Sequence, residues 1–473
     1  SRQSDRVSEY KPAPFRPTNP SDSSASLCNI MIDDVTGLMM TENKNEVIED
    51  MTIVEFRYEA NKDAGWRWVP IKVRYDKTAD LRNGGRNYGN AYHVAESVWT
   101  SIHNPITTEM ITTGTDIPDV MSDTYYLSSG ASTSSPMRDF HNFCIKRKLL
   151  LSVIRPGNSV LDLGAGKAGD LHKWIAARAG LVLGIDSCED CIENRIDGAC
   201  ARYLNSFTKY KSVPPMFFLY GEASQSIKGG EALLTAIGKR TMRALLGEGP
   251  RDSQVLGQAV YRNYGRAKDG FNVISSQFAL HYFFRDIDTF NGLLDNISDL
   301  CADGGYFVGS CYDGKRVFRA LEEKDVGDGL CMKVLSNTIC EITKRYESTT
   351  YHNDETCLGY AIDVYQDSIN NQIREYLVNF SYLESRLAER GIRPVSTREA
   401  QGLGLLGGIV PFADIFQQVQ LKVANDPRFK KNIGSTLDMT DQERKVSFLN
   451  NMFAFKKASV RRRKGVKKLV IVE

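Results

Sequence analysis

The sequence lacks the long apolar run that a membrane-spanning helix requires. Such a helix needs about 20 consecutive apolar residues, and the longest candidate, residues 402–412 (GLGLLGGIVPF), is short and rich in glycine. This stretch predicts a buried loop or turn. The chain opens on a polar, charged segment, so we expect no signal peptide and no secretion. It does not begin with methionine, which favours a piece of a longer protein.

Cysteine is sparse. The 473-residue chain has 10 cysteines without the spacing of a disulfide framework, which favours a reducing compartment. Its single CxxC, Cys188–Cys191, has neither a second CxxC nor a nearby histidine pair. Because a structural zinc site needs about four such ligands, the sequence predicts no metal.

An excess of one charge is also missing. The formal net charge is +2, with 42% hydrophobic and 25% charged residues, as in a globular protein. Basic residues are concentrated only in the tail 456–468. This tail suits RNA phosphates, or it is a solvated terminus.

The chain is too long for one ordinary core, so we expect two domains. Short runs rich in β-branched and aromatic residues, 52–58 and 66–75, predict a small β-barrel or sandwich. The stretch LSSGASTSSP then has the composition of a linker. We therefore predict a first domain over residues 1–125, a linker over 126–137 and a second domain over 138–473.

The second domain alternates apolar strands with helical segments. The predicted strands are residues 159–163, 181–185, 216–220, 271–275 and 305–309. This alternation is typical of an α/β fold with a mostly parallel, doubly wound sheet covered on both faces. Residues 224–269 interrupt the rhythm, and we interpret them as an insertion.

A glycine-rich turn follows the first of these strands. Residues 160–170 read VLDLGAGKAGD, and they place Gly164, Gly166 and Gly169 in a GxGxxG pattern between a strand and a helix. NAD-binding and S-adenosylmethionine-binding proteins share this pattern. Asp186 ends the next strand, where an acid accepts the ribose hydroxyls of either cofactor. The loop alone therefore does not distinguish NAD from S-adenosylmethionine.

Two carboxylates favour one of them. Asp162 lies two residues before the first glycine, and Asp170 opens the following helix. NAD would bring a pyrophosphate, which prefers backbone N–H groups and a helix N-terminus without acids nearby. S-adenosylmethionine brings an ammonium and a sulfonium, both cationic. The sequence therefore predicts S-adenosylmethionine, although both acids could also be simple caps.

Two longer motifs bring a family resemblance. The segment 162–174, DLGAGKAGDLHKW, and the segment 275–282, SSQFALHY, together resemble the mRNA cap guanine-N7 methyltransferase family. The segments 140–146 (FHNFCIK) and 370–380 (NNQIREYLVNF) are similar to two further motifs of that family. The resemblance implies a Rossmann-like class I methyltransferase acting on capped GpppN-RNA.

The glycine loop and the resemblance together assign the expected site. The loop itself places Gly164, Gly166, Asp170 and Asp186 around the methyl donor. The resemblance adds Lys146 for the donor carboxylate, with Glu222 and Gln277 near the adenine and methyl group. It also implies a set of residues around the cap guanine, namely Asn142, Phe278, His281, Tyr282, Tyr312 and Glu375.

The acceptor chemistry predicts no catalytic base. Guanine N7 carries an in-plane lone pair and no proton, so in-line displacement needs only placement and electrostatics. Phe278, His281 and Tyr282 follow the fourth strand at its carboxyl end, where ligands bind in such sheets. Glu375 offers a carboxylate to guanine N1–H and the exocyclic amine. The alternative for Phe278 and Tyr282 is a place in the core.

One position departs from the family. The family has a tyrosine over the cap shortly before its last strand, and counting back from Phe453–Phe455 leads to Asn450. Either the register differs here, or another aromatic side chain such as Tyr312 covers the guanine.

The first domain has a resemblance of its own. Residues 68–77 are similar to the last motif of the OB-fold of mRNA guanylyltransferases, W-x-x-x-R-x-R-x-D-K, with Lys72 in place of the first arginine. Residues 90–99 are similar to capping enzymes of large DNA viruses, whereas the nucleotidyl-accepting KxDG motif is absent. The resemblance implies the C-terminal part of a viral capping enzyme, located in the cytoplasm, in viral factories or in the virion. Its expected partners are capped RNA and another capping domain or subunit, with no membrane.

Two other classes of function stay open. One is a methyltransferase acting on RNA ribose or on a small molecule; a ribose enzyme needs a base, typically a lysine between carboxylates, and no such group lies in register. The other is a non-catalytic module of a capping complex, which we would expect to carry a broken glycine loop. The loop here is intact.

Overall fold

The computed structural model describes residues 14–17, 20–42, 46–84, 88–89, 92–103, 135–334, 337–367 and 371–459. The chain divides into two units, Ser1–Val120 and Met121–Glu473. Most of the predicted linker and the basic tail from residue 460 lie outside the described residues, so the predicted domain limits stay predictions. No helix within the described ranges is long and apolar enough to cross a membrane.

The first unit contains one regular sheet among its described residues. Strands β1 (Val54–Tyr58) and β2 (Trp68–Val73) pair antiparallel, and helices α1 (Tyr75–Arg82) and α2 (Tyr92–His103) follow. The ring of Trp99 is buried and packs edge-on against Tyr58, with 5.1 Å between the ring centroids. The predicted OB-like barrel is not confirmed by this sheet and stays a prediction.

The second unit is built around an eight-stranded sheet with helices on both faces. Its strands lie in the order β12-β14-β7-β6-β3-β4-β5, and β13 also pairs with β14. The pairs among β3, β4, β5, β6 and β7 are parallel, whereas β14 is antiparallel to its neighbours. The strands are β3 (Ser159–Leu163), β4 (Leu181–Asp186), β5 (Met216–Tyr220), β6 (Phe271–Gln277), β7 (Cys301–Tyr312), β12 (Ile392–Pro394), β13 (Ile409–Pro411) and β14 (Asn450–Lys457).

The helices of the second unit connect these strands. They are α3 (Ser135–Asp139), a π-helix (Phe140–Lys146), α4 (Arg147–Val153), α5 (Leu171–Ala176), α6 (Glu189–Glu193), α7 (Ala199–Ser206), α8 (Ala236–Leu245), α9 (Ser253–Arg262), α10 (Ile287–Leu300), α11 (Gly314–Ala320), α12 (Phe380–Ala388), α13 (Thr397–Leu403), α14 (Phe412–Asn425) and α15 (Asp441–Ser447). Short 3₁₀ helices lie at Leu280–Phe284, Glu355–Cys357, Pro427–Asn432 and Thr436–Asp438.

The predicted Rossmann-like α/β fold is confirmed in this unit. Strand β3 is buried at every position, as expected for a central strand of a parallel sheet covered on both faces. The fifth predicted strand is longer than 305–309, because β7 continues to Tyr312 and pairs there with β14.

One local prediction needs correction, and two others gain detail. Residues 402–412 are not one loop, because Gly404 in the left-handed region (φ +70°) ends α13, and β13 follows. The insertion 224–269 is structured: α8 contributes Met242 and Leu245 to the core. The start of the basic tail is the end of β14, where the ammonium of Lys456 lies 2.7 Å from the carboxylate of Glu399.

A second sheet follows β7 and carries one predicted site residue. Strands β8 (Gly329–Val334), β9 (Asn337–Lys344), β10 (Ala361–Gln366) and β11 (Asn371–Tyr376) form an antiparallel sheet in the order β11-β10-β9-β8. Glu375 pairs with Ile362 inside β11, rather than preceding a strand as its sequence motif implies. The strand holds this buried carboxyl in a fixed register.

Candidate functional site

The predicted donor residues meet at one edge of the large sheet. Strands β3, β4, β5 and β6 are parallel, so their carboxyl ends lie side by side. The glycine loop follows β3, Asp186 ends β4, Glu222 follows β5 and Gln277 ends β6. This edge is where ligands bind in open α/β sheets.

Two glycines of the loop adopt conformations that other residues avoid. Gly164 has φ +79° and Gly166 has φ +50°. A Cβ atom on Gly164 would lie 2.5 Å from the Cβ of Ala279, which is a severe overlap. The loop therefore needs glycine both for its backbone and for its close approach to the segment after β6.

Asp186 holds the loop from the end of β4. Its Oδ2 accepts a hydrogen bond from the Gly166 N–H at 2.7 Å, and its Oδ1 accepts one from the Cys188 N–H at 2.9 Å. Burial raises the pKa of Asp186 despite these two bonds, and the nearby Glu222 adds to the rise. Since each carboxylate oxygen has a second lone pair, Asp186 can also accept from a ribose.

Asp170 is paired with two lysines, and its predicted place near the donor stays a prediction. The Lys173 ammonium lies 2.7 Å from its Oδ1, and the Lys146 ammonium lies 3.4 Å from its Oδ2. Burial alone would raise the pKa of Asp170, but the two lysines together lower it. The Lys173 ammonium also donates to Oδ1 of Asn142 at 3.0 Å. Asp170 thus positions Lys146, and Lys173 is a site residue that the sequence did not reveal.

Asp162 is a second buried carboxyl beside the glycine loop. It is buried, and its Oδ1 has no hydrogen-bond partner among the described residues. Burial, reinforced by the charge of Asp170, raises the pKa of Asp162 to about 7. A buried, unpartnered carboxyl oxygen beside a glycine loop fits the ammonium of S-adenosylmethionine.

The other two predicted donor residues differ in burial. Gln277 is buried, and its Oε1 accepts a hydrogen bond from the Ser310 hydroxyl at 2.9 Å. Glu222 is exposed, and its Oε1 accepts from the Ser224 hydroxyl at 3.0 Å. Their proximity to adenine and the methyl group stays a prediction.

Phe278 lies at the junction of the donor and acceptor residues. It is a non-glycine residue with φ +55°, and its N–H donates to the Ser310 carbonyl at 2.7 Å. Backbone strain of this kind is concentrated at functional sites. The ring centroid of His141 lies 5.3 Å from that of Phe278, and the Lys146 ammonium lies 5.4 Å from it.

His281 and Glu375 face each other in a buried contact between the two sheets. Nδ1 of His281 lies 3.6 Å from Oε2 of Glu375, which is longer than a hydrogen bond. Burial lowers the pKa of His281 to about 3 and raises the pKa of Glu375 to about 8. Both groups are therefore mostly neutral near pH 7, and the contact is not an ion pair.

Tyrosines extend this buried contact. The ring of Tyr282 is half-buried and lies edge-on to His281, with 4.2 Å between the centroids. Tyr312 is buried at the end of β7, and its hydroxyl accepts a hydrogen bond from Gln366 at 3.0 Å. Burial, with a contribution from Glu375, holds the pKa of Tyr312 well above its ordinary value.

Asn450 on β14 lies directly beside Tyr312 on the neighbouring strand β7. Residues 450–456 pair with β7 without irregularity, and Asn450 is the register partner of Tyr312. Both explanations for the missing tyrosine, a different register from the family or another aromatic side chain such as Tyr312, stay predictions. The side chain of Asn450 is 2% exposed, its amide donates to the carbonyls of Val446 and Ser447, and its Oδ1 has no partner among the described residues.

His141 completes this corner of the site. Its Nε2 lies 2.8 Å from the Ser447 hydroxyl, next to the residues that hold Asn450. Burial, reinforced by the charge of Lys146, lowers the pKa of His141 to about 3, so the ring is neutral. The sequence placed His141 in a motif but gave it no role; its signal was its place between Phe140 and Asn142.

One group of side chains in the described ranges could hold a metal ion. Ligand atoms of Asp186, Cys188 and Cys191 lie within 4.8 Å of one another. The Cys188 sulfur accepts a hydrogen bond from the Cys191 N–H at 3.2 Å. Asp186 already supports the glycine loop, so these three residues overlap the donor site. The expectation of no metal stays a prediction.

Comparison with known proteins gives a family for the later part of the chain. Residues 251–457 match the family model described as "mRNA (guanine-N(7))-methyltransferase domain". The match includes His281, Glu375 and Asn450 but begins after the glycine loop and Asp186. All the predicted cap residues except Asn142 therefore lie in the matched part, and all the predicted donor residues except Gln277 precede it.

Individual relatives agree with this family. A protein of Acanthamoeba polyphaga mimivirus named "Probable mRNA-capping enzyme" is 30% identical over 375 residues, covering 74% of this chain and 30% of that protein. The mRNA-capping enzyme of African swine fever virus is 21% identical over 320 residues, covering 67% of this chain and 32% of that enzyme. The chain thus spans about a third of the viral relatives' length.

Two further relatives have narrower names. The mRNA cap guanine-N(7) methyltransferase of Saccharomyces cerevisiae is 25% identical over 336 residues, covering 68% of this chain and 64% of that enzyme. A solved S-adenosylmethionine-dependent methyltransferase from Clostridium acetobutylicum is 9% identical, with a TM-score of 0.34, covering 78% of this chain and 99% of that one. The fold assignment therefore rests on the sheet order and not on this likeness.

The sheet order gives the second unit the fold of a class I methyltransferase. The family match supports S-adenosylmethionine as the cofactor, as the sequence predicts. Within that class, residues 251–457 match the model of the mRNA (guanine-N(7))-methyltransferase domain. The predicted resemblance to viral capping enzymes is confirmed by the mimivirus and African swine fever virus relatives.

The Asn450 corner gives a first prediction. We expect Asn450→Ala to raise KM for a cap dinucleotide by about tenfold with little change in donor affinity. The substitution removes a buried hydrogen-bond acceptor beside Tyr312, a predicted cap residue. Steady-state kinetics with separate donor titration measure both. The matched control is Asn432→Ala, which removes an exposed amide elsewhere in the same unit. Equal KM values for the two variants would exclude Asn450 from the pocket.

Proposed function

We propose that this chain transfers the methyl group of S-adenosylmethionine to N7 of the cap guanine of GpppN-RNA. The observation that carries the proposal is the buried Glu375 carboxyl, held by β11 opposite His281. A purine with two adjacent N–H donors, as guanine has at N1 and its amine, would satisfy this carboxylate. Adenine presents no such pair.

The residues around the glycine loop fit S-adenosylmethionine. We propose that Asp162 accepts from the donor's ammonium, that Lys146 pairs with its carboxylate, and that Asp186 accepts from its ribose. When bound, the cofactor supplies an electrophilic methyl group on a sulfonium. Lys146 suits its role because Asp170 fixes the ammonium 3.4 Å away beside the Phe278 ring.

The chain's part in the reaction is placement and charge. Guanine N7 needs no deprotonation, so the residues only have to hold the purine in line and exclude water. Phe278, Tyr282 and Tyr312 supply aromatic surface, with Asn142 and His281 at the edges. Methylation makes the purine cationic, and an ionised Glu375 would stabilise that developing charge. The neutral rings of His141 and His281 would not oppose it.

The assay of methyl position tests the proposal. The full chain is incubated with labelled S-adenosylmethionine and GpppA-RNA, and the RNA is then digested to nucleosides and cap fragments. We expect label only on the cap guanine, at N7. Label on a ribose would favour the other RNA methyltransferases, and donor binding without transfer would favour a non-catalytic module.

The pH dependence of cap use gives a second prediction. Because burial raises the pKa of Glu375 to about 8, cap binding must ionise a carboxyl that is protonated at lower pH. We expect kcat/KM for the cap dinucleotide to rise by about tenfold per pH unit below pH 8 and then to level off. Donor is kept saturating, because Asp162 titrates near pH 7. A profile that is flat or falls between about pH 6.5 and 8.5 would contradict this role.

The remaining assignments extend this proposal. We propose that the first unit derives from the OB-fold of a guanylyltransferase, that another capping domain or subunit acts with this chain, and that it works in the cytoplasm, in viral factories or in the virion. The ion pairs of Lys72 and Arg74 with Glu55, each 3.5 Å long, support the pairing of the two strands. Limited proteolysis of the full chain, with cleavage expected within residues 126–137, tests the domain limits.

A further inference from the structure

A groove lies on the side of the π-helix that the donor and cap residues do not use. It has a volume of about 400 Å³ and runs between the π-helix with α4 and the helix α14. Buried apolar residues, among them Ile415 and Val419, form part of its lining. The half-exposed rings of Phe143 and Phe429 also line it. The groove therefore offers both apolar and aromatic surface to a ligand.

The charged residues that line this groove are all basic, although Asp426 lines an adjoining cavity with Lys148 and Lys422. Arg147, Lys148, Arg155 and Lys422 line the groove, and no Asp or Glu is among its lining residues. Within the described part of the chain, none of these four cations forms an ion pair with a carboxylate, whereas Lys146 and Lys173 both pair with Asp170. Four uncompensated cations around one cavity indicate an anionic ligand.

Two of the cations are held close to each other. Burial and the nearby charge of Lys422 lower the pKa of Lys148. The Lys422 ammonium lies 4.1 Å from the centroid of the Phe429 ring. A phosphate between the two lysines would relieve their repulsion, and the aromatic rings could stack against bases.

We propose that this basic groove binds the RNA chain that follows the cap, with phosphates on the four cations and bases against Phe143 and Phe429. The proposal rests on the proposed function, which makes capped RNA the substrate. The π-helix connects the two regions, because Phe143 lines the groove while Asn142 and Lys146 lie in the donor and cap site. RNA held at its cap is therefore already concentrated at the groove.

We expect the groove to affect KM only for RNA substrates that are long enough to pass around the π-helix. A helix with its side chains is about 10–12 Å across. A cap dinucleotide ends in the pocket, whereas an RNA of about 25 nucleotides reaches further. The two substrates therefore separate the groove from the methyl-transfer site.

The test uses the full chain with the double variant Lys148→Glu and Lys422→Glu. We expect KM for a capped RNA of about 25 nucleotides to rise at least about tenfold, and the salt dependence of RNA binding to weaken by about 1.4 in its log–log slope. Kinetics with GpppA should be unchanged, as should donor affinity and melting temperature. The control, Lys209→Glu with Lys211→Glu, makes the same charge change on exposed lysines outside the groove. If the glutamates disturb folding, the milder double variant Lys148→Gln and Lys422→Gln replaces them. It should also raise KM for the capped RNA and weaken the salt dependence of RNA binding.

RNA binding measured by fluorescence anisotropy keeps this test independent of methyl transfer. If no substrate is methylated but the groove variant alone loses RNA affinity, the groove stands and the proposed function fails. Wild-type RNA affinity in the groove variants, or an equal loss in the Lys209 and Lys211 control, overturns the groove. Groove-dependent binding of polyglutamate without groove-dependent binding of RNA overturns it too, in favour of an acidic protein.

Discussion

Replacing Glu375 by glutamine should lower kcat/KM for a capped substrate at least about 100-fold while making the folded chain more stable. The loss follows from the two N–H donors of guanine, N1–H and the exocyclic amine. A carboxylate accepts from both, whereas a glutamine amide turns its own N–H₂ group toward one of them. Donor affinity should not change, because the donor residues lie at the ends of β3, β4, β5 and β6.

The gain in stability follows from the pKa of Glu375. Burial raises it from 4.5 to about 8, so the folded chain keeps a proton that the unfolded chain releases. Stability is therefore lost as pH rises from the unfolded pKa to the folded one, and the loss is complete above pH 8. Glutamine has no such titration. We expect the melting temperature near pH 8 to rise by about 2–4 °C for each kcal/mol recovered.

The matched control for this prediction is Glu341→Gln. Glu341 lies on β9 in the same small sheet, but it is exposed. The Glu341→Gln substitution should change neither the kinetics with capped substrate nor the melting temperature. A Glu375→Gln variant that methylates capped RNA at the wild-type rate would remove Glu375 from the cap pocket. A variant that loses both activity and stability would mean that the carboxyl supports the fold instead.

The sequence predicted the glycine turn and the strand ends beside it because their signals are local. The turn at Gly164 and Gly166 needs positive φ, and its place between β3 and α5 is encoded within a short segment. Asp186 ends a strand whose apolar run is unmistakable. Parallel strands then bring these ends together without any further information.

The acceptor half depended on pairings between distant segments. Asn450 meets Tyr312 only because β14 pairs antiparallel with β7, and no local pattern encodes that partner. His141 reaches this corner through Ser447, which lies at the end of α15. Only the family resemblance pointed to Asn450 before the structure placed it.

The sequence also could not predict which charged side chains neutralise one another. Asp170 looked like an acid aimed at a cation, but Lys173 and Lys146 already neutralise it. Lys173 lies three residues after Asp170, a spacing that allows contact on a helix without requiring it. The unpartnered Oδ1 of Asp162 could be identified only once its surroundings were known.

Replacing Asp186 by alanine should weaken binding of S-adenosylmethionine at least about 100-fold. The substitution removes two contributions to donor binding at once. The proposed acceptor of the ribose hydroxyls is lost, and the N–H groups of Gly166 and Cys188 lose the carboxylate that holds the loop. The loop keeps the hydrogen bonds from the N–H groups of Gly164 and Ala165 to the Ile185 carbonyl, so we expect it to loosen locally at Gly166.

Isothermal titration with S-adenosylmethionine and S-adenosylhomocysteine measures this effect directly. Asp186→Asn separates the two contributions, because an amide keeps one acceptor oxygen for the loop but cannot accept at both positions. We expect it to bind the donor with an affinity between those of wild type and Asp186→Ala. Asp299→Ala, which removes an exposed carboxylate from α10, is the control and should bind normally. If Asp186→Ala binds the donor as the wild type does, the cofactor does not lie over this loop, and the assignment of Lys146 and Asp162 fails with it.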